Sequence, residues 1–261
     1  MHPMINIALK AARDAAEAIA HSSDRLDRIK VINDKPGSFL TSMDLDSDKT
    51  LQYHLLKAYP EHSINSRATG MTVGTRKDIE WLIDPLIGNR NFARGYTQFA
   101  VSLACKIDGV IQHAAIVCPM TNEEFVATRG GGAQLNSRRL RVGRETELVQ
   151  GSLVGVNGEV EDIDTLLGMQ KAILLAGAQS RISGCTALDI VSTAADRLQG
   201  GWAPNEGGDN HSITAAALIL KESGGLIGSE LANPDFANAN ELIFSNPKIL
   251  KQLVKMRQSI N

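Results

Sequence analysis

The stretch Trp81-Leu82-Ile83-Asp84-Pro85-Leu86-Ile87-Gly88-Asn89-Arg90-Asn91-Phe92 constrains this chain most. An apolar run over Ile79–Asp84 predicts a strand that ends on a carboxylate, followed by a loop. A carboxylate at the end of a buried strand must be answered by donors or by a cation, because leaving it uncompensated costs several kcal/mol. Asp84 therefore either accepts backbone N–H groups from the loop or keeps a weak cation site.

The rest of the chain supplies what would pack around that strand. Residues 4–22 repeat small apolar side chains at helical spacing, and a second helix is expected over about 47–58, stopped by Pro60. Phe99–Lys106 and Val110–Val117 flank Asp108-Gly109, a hairpin signal. Glu124–Thr128 reads as a further strand, and Gly130-Gly131-Gly132 as a turn. This half is expected to be an antiparallel sheet backed by two helices. The second half alternates strand and helix: Ser152–Val156, Ile163–Leu175, Arg181–Ser183, Thr186–Arg197, Ile213–Ser223, Leu242–Ser245, and a last helix capped by Asn246 with Pro247 in its first turn. A boundary near 143–151 divides the chain into an expected α+β lobe, 1–145, and an α/β lobe, 146–261.

At 261 residues the chain can bury a large core, and its net charge of −2 gives no general affinity for nucleic acid or anionic membrane. No apolar run is long enough for a membrane span. Cys105, Cys118 and Cys185 are unpaired by spacing and sit among apolar residues, which together with the absence of a signal-peptide pattern predicts reduced thiols and a cytoplasmic location. Arg138-Arg139-Leu140-Arg141-Val142-Gly143-Arg144 is the one basic cluster: a solvated hairpin, or a contact for RNA or an acidic partner. His113 and His211 lack a partnered motif and are expected to be ordinary side chains.

The signature stretch, together with Ala127–Asn136, Gly184-x-x-Ala187-Leu188-Asp189 and Ala215–Gly225, resembles the inositol monophosphatase family, and most closely its SuhB-type bacterial branch. The resemblance spans the chain. It implies an α+β fold, the inositol monophosphatase/fructose-bisphosphatase-like layered α-β-α-β-α sandwich. It also implies a chemistry in which carboxylates hold two or three Mg²⁺ ions that activate water and clamp a phosphate. Carried over residue by residue, Asp44 and Asp84 are retained ligands. The paired glutamates fall on Arg67 and Ala68, the second aspartate of the signature on Ile87, its threonine on Asn89, and the last aspartate on Ser212.

Four acidic positions of the pattern are thus empty, and two arginines, Arg67 and Arg90, have appeared. We expect Asp44 and Asp84 to be a remnant metal site without Mg²⁺, and a pocket bounded by Arg67, Ile87, Gly88, Asn89, Arg90, Asp209 and Ser212. Asp44 serves equally well as a helix cap. Arg67 and Arg90 point to solvent, or one of them fills the vacated cation space and pairs with Asp84 or Asp44. Asp209, in a glycine-rich loop, is the one candidate for a substitute ligand. No catalytic residue is assigned. Three functions remain open: a pseudoenzyme acting through its surface, with transcription-complex proteins as the partners the resemblance implies; a Mg²⁺-dependent phosphomonoesterase with rebuilt ligands; and a pocket recruited for another anionic small molecule. A homodimer is expected by family analogy.

Overall fold

The structure is a computed structural model, and it describes residues 2–35, 38–205, 211–229 and 239–260. The chain opens with α1 (Pro3–Ser23), the hairpin β1 (Val31–Lys35) and β2 (Ser38–Thr41), and α2 (Ser42–Ala58). Next come β3 (His62–Ser66), β4 (Gly70–Thr72), β5 (Arg76–Ile87) and the short α3 (Asn89–Ala93). The antiparallel run β6 (Ala100–Ile107), β7 (Val110–Cys118), β8 (Glu123–Thr128), β9 (Gly132–Leu135) and β10 (Arg138–Arg139) completes the first sheet. Its eight strands lie in the order β10-β9-β8-β7-β6-β5-β3-β4. One pair breaks the expected pattern: β3 runs parallel to β5, because the intervening β4 runs back antiparallel along the other edge of β3 and returns the chain to the end where β3 begins.

The second half contributes β11 (Leu153–Val156), α4 (Ile163–Leu175), β12 (Gln179–Arg181), α5 (Thr186–Ala194), β13 (Gly200–Pro204), α6 (His211–Glu222), β14 (Leu226–Gly228), β15 (Glu241–Ser245) and α7 (Pro247–Gln258). Five of these form a mixed sheet, β12-β11-β13-β15-β14. The helix over Ile163–Leu175 falls where its periodicity places it. Two others are shifted: β12 lies two residues upstream of the expected strand, and α5 stops at Ala194 rather than Arg197.

Three apolar clusters define the layers. Ala11, Ala12, Ala15 and Ile19 of α1, with Leu51 and Leu55 of α2, pack on Trp81, Ile83 and Leu103 of the large sheet. The opposite face of that sheet, Leu82, Ala104 and Ile116, packs on Ile190 and Val191 of α5 and Ala216 and Leu220 of α6, which also meet Leu242 and Phe244 of the small sheet. Leu166, Met169 and Ile173 of α4 and Leu253 of α7 cover the outer face of the small sheet over Val154 and Trp202. The order is therefore α-β-α-β-α. Although the sheets divide between Arg139 and Leu153, α5 and α6 pack against both. Glu222 at the end of α6 strengthens the join, its two carboxylate oxygens accepting the N–H groups of Gly130 and Gly132 at 2.8 Å each.

Candidate functional site

Three segments converge where β5 ends: the first turn of α2, the residue after β3, and the signature loop. Helix α2 starts at Ser42, five residues before the expected position, because Thr41 caps it. Thr41 and Asp44 form a reciprocal capping box, in which Asp44 Oδ2 accepts the Thr41 N–H at 2.8 Å and the Thr41 hydroxyl at 2.7 Å. The apolar periodicity begins only at Leu51, so the polar first turns carry no hydrophobic signal.

Arg67 occupies the centre. Its Nε donates to Asp84 Oδ1 at 2.7 Å, one of its terminal nitrogens donates to Asp44 Oδ1, and the same nitrogen reaches the Leu86 carbonyl at 3.3 Å. Asp44 and Asp84 are both buried. Asp84 Oδ1 also accepts the Leu86 N–H at 3.2 Å. Burial works to lower the Arg67 pKa, but the charges of Asp84 and then Asp44, and the hydrogen bonds to both, outweigh it and hold the guanidinium above the ordinary arginine value. Of the two arginines, Arg67 fills the cation space. Arg90 turns outward, 56 % exposed, pairing with Asp34 Oδ1 at 3.1 Å and lying over the Phe39 ring at 4.6 Å, where it pins the β1–β2 hairpin.

The other expected pocket residues separate. Asn89 joins the cluster, its Nδ2 donating to Asp44 Oδ1 at 3.0 Å and to the Phe39 carbonyl at 2.7 Å. Gly88 caps α3 at φ 71°, with the Gln98 carbonyl pressed where a Cβ would stand. Ile87 is buried in the core between the large sheet and α5/α6, where an aliphatic side chain gains more than beside two carboxylates. Ser212 lies in the first turn of α6, beside His211, whose Nε2 meets Asn65 Oδ1 at 3.2 Å. Asp209 lies outside the described residues. His113 bonds Thr128 Oγ1 at 3.1 Å and stacks on His2 at 4.3 Å, as an ordinary side chain would.

Two buried carboxylates were given no role from the sequence, and Asp48 was not singled out at all. Asp48, one turn beyond Asp44 on α2, accepts the Ser66 hydroxyl at 2.5 Å, the Thr69 hydroxyl at 2.8 Å and the Gln52 amide at 2.7 Å, which fastens the loop after β3 to the helix. The Asp44-x-x-x-Asp48 spacing was its signal. Asp189 on α5 lies over Gly155, accepts the Asn157 amide at 2.8 Å, and is pushed up to about 6 by burial. Since its folded pKa exceeds its unfolded value, the folded chain holds that proton longer. Its contribution is fully present below pH ~4 and is lost as pH rises through about 6, a change of roughly 2–3 kcal/mol. Melting across pH 4–8 should show that decline in the wild type and not in Asp189→Asn. The three thiols are buried and pushed up, Cys105 and Cys118 to about 12, and hence inert.

The chain matches the inositol monophosphatase family over residues 1–261. It belongs to that family. It is 37 % identical over 261 residues to the Nus factor SuhB of Pseudomonas aeruginosa, covering 97 % of this chain and 95 % of that one. It is 32 % identical over 265 residues to the Nus factor SuhB of Escherichia coli, covering 100 % and 98 %. The crystal structure of the extragenic suppressor protein SuhB from Bartonella henselae superposes with a TM-score of 0.94 at 25 % identity, covering 99 % of each chain. An inositol monophosphatase from Anabaena gives 0.83 at 25 % identity, covering 99 % and 96 %.

The family resemblance implies Mg²⁺, and the residues at this inositol monophosphatase-family site do not fit it. Among the described residues no group of three or more His, Cys, Asp or Glu is arranged to hold a metal. The two carboxylates that remain already share one cation, Arg67. A divalent ion ~4 Å from that guanidinium would meet about 8 kcal/mol of repulsion at an effective dielectric of 20, double the value for two unit charges. The arrangement neutralises the two carboxylates and locks three segments together.

Proposed function

We propose that this protein is a SuhB-like regulatory member of the inositol monophosphatase family that has lost Mg²⁺-dependent phosphatase turnover and works, as a homodimer, through transcription complexes of the antitermination type. The observation that carries the first half is the Arg67 bridge between Asp44 and Asp84. The second half is supported by the Nus factor relatives, which match nearly the whole chain. Rebuilding the metal site would require Arg67 to leave two buried carboxylates, and using Arg67 as an anion contact would require breaking the same bonds.

Two assays test this reading. Hydrolysis of inositol phosphate, followed across a wide Mg²⁺ range, is expected to stay at background; clear turnover that disappears in Asp84→Asn overturns the loss of catalysis. A tagged chain in native lysate is expected to recover RNA polymerase and Nus factors, and recovery of no transcription protein overturns the regulatory role.

A further inference from the structure

Where α1 begins and α2 ends, a cleft of about 470 Å³ opens beside Met4, Tyr59, Glu61, His62, Arg76 and Ile79. That volume lies within the ~300–1,000 Å³ of small-molecule sites. The cleft sits at the start of β3, whereas Arg67 follows its end, so ~17 Å of strand separates it from the carboxylate bridge. Main-chain pairing fixes its mouth: Arg76 lies opposite His62 in the β3–β5 register, and the Arg76 N–H donates to the Glu61 carbonyl at 2.8 Å. Met4 and Ile79, both buried, give it an apolar floor.

His62, only 7 % exposed, is the side chain that asks for a ligand. Trp81 Nε1 can only donate, so His62 Nδ1, 3.1 Å away, accepts, and the ring proton sits on Nε2. Tyr59 lies flat against the imidazole, 4.6 Å between centroids and 5° between planes, and holds its orientation. Burial and then the charge of Arg76 lower the His62 pKa against the opposing pull of Asp78 and Glu61, so the ring stays neutral at pH 7. With Nδ1 turned to Trp81, the Nε2 edge is the one toward the cleft, and among the described residues it meets no acceptor. Arg76 donates from Nε and one terminal nitrogen to Asp78, and its other terminal nitrogen meets no acceptor among the described residues either. Asp78 matches the charge of Arg76, while Glu61, at the exposed rim, makes no ion pair among the described residues. The cleft therefore offers two donors, an apolar floor and one unmatched negative charge. A simple anion would meet Glu61, and a simple cation would leave both donors unanswered. We infer that this cleft binds a small zwitterion, an apolar α-amino acid, whose carboxylate accepts from His62 Nε2 and Arg76, whose ammonium group faces Glu61 and whose side chain lies on Met4 and Ile79.

Isothermal titration of the full chain with L-leucine and L-phenylalanine tests this, and neither the Arg67 bridge nor a transcription partner enters the readout. At least one of the two is expected to bind in the millimolar range or tighter. Its deaminated acid and its decarboxylated amine (4-methylpentanoate and 3-methylbutylamine for L-leucine) are each expected to bind about fivefold more weakly, the scale of one exposed ion pair. Glu61→Gln is expected to bring the amino acid down to the affinity of its acid and to leave the acid no weaker than before. Arg76→Gln is expected to weaken both about tenfold. Both positions are exposed, so far-UV circular dichroism should not change. No binding of either amino acid up to about 10 mM overturns the inference. So does an acid that binds the wild type as tightly as its amino acid, or binding indifferent to both substitutions.

Discussion

Replacing Arg67 by alanine is expected to destabilise the protein by about 3–4 kcal/mol, and to make it respond to Mg²⁺ as the wild type does not. The loss follows from what stays behind. Asp44 is fully buried and Asp84 nearly so, and each would lose its main ion-pair partner. The Arg67 side chain is itself 29 % exposed, so solvent softens the cost and holds it below the upper end for a broken buried pair. For a chain of this size the melting temperature should fall by roughly 10 °C. The same substitution leaves two carboxylates facing an opening. A cation entering at ten times its dissociation constant returns about 1.4 kcal/mol, or roughly 3–6 °C. Melting in matched ionic strength with NaCl or MgCl₂ reads both effects. An Arg67→Ala variant as stable as the wild type would show that the bridge is ornamental.

Asp44→Ala is expected to cost about 4 kcal/mol, the largest single effect in the site. It removes the acceptor for the Thr41 N–H and hydroxyl, worth about 1 kcal/mol as a helix cap, and also half of the Arg67 bridge and a bond from Asn89. Asp44→Asn separates these contributions, since an amide oxygen can still cap α2 while the charge is gone; it should fall between the wild type and alanine. The double variant Arg67→Ala/Asp44→Ala should lose less than the two single losses combined, by about 1–3 kcal/mol, because each single change strands the other's charge. Additive losses in equilibrium unfolding would mean that the two residues do not act as a pair.

Much of this architecture was legible because it is written in local patterns. The alanine stripe of α1, the Asp108-Gly109 hairpin and the Asn246-Pro247 start of α7 each follow from the nearest few residues. Two of the strands that went unread show why. β3 reads His-Ser-Ile-Asn-Ser, yet lies inside the large sheet, because its polar groups are answered from elsewhere: His62 by Trp81, Ser63 by Gly74, Ser66 by Asp48. β13 begins Gly200-Gly201 because the Phe244 ring and backbone press on it from the neighbouring strand, a requirement visible only after the sheet has formed. Polar pairs close over long sequence separations and leave no periodic trace.

The site shows the same division. Asp44 and Asp84 could be picked out one by one, and the appearance of two arginines near them signalled a change of charge. Which arginine entered depended on the backbone. Arg67 follows β3, whose parallel pairing with β5 sets the Arg67 N–H on the Ile83 carbonyl at 3.0 Å, one residue before Asp84. Arg90 lies on α3, beyond the left-handed Gly88, and that turn carries it toward Phe39 and Asp34 instead.

An arginine side chain holds the place and the charge that divalent ions would need. Anomalous scattering from crystals soaked in Mn²⁺ with phosphate tests it directly. No Mn²⁺ peak is expected within coordination distance, ~2–3 Å, of the Asp44 or Asp84 oxygens, with Arg67 still bonded to both. Paired peaks bridging those carboxylates, with the guanidinium displaced, would contradict it.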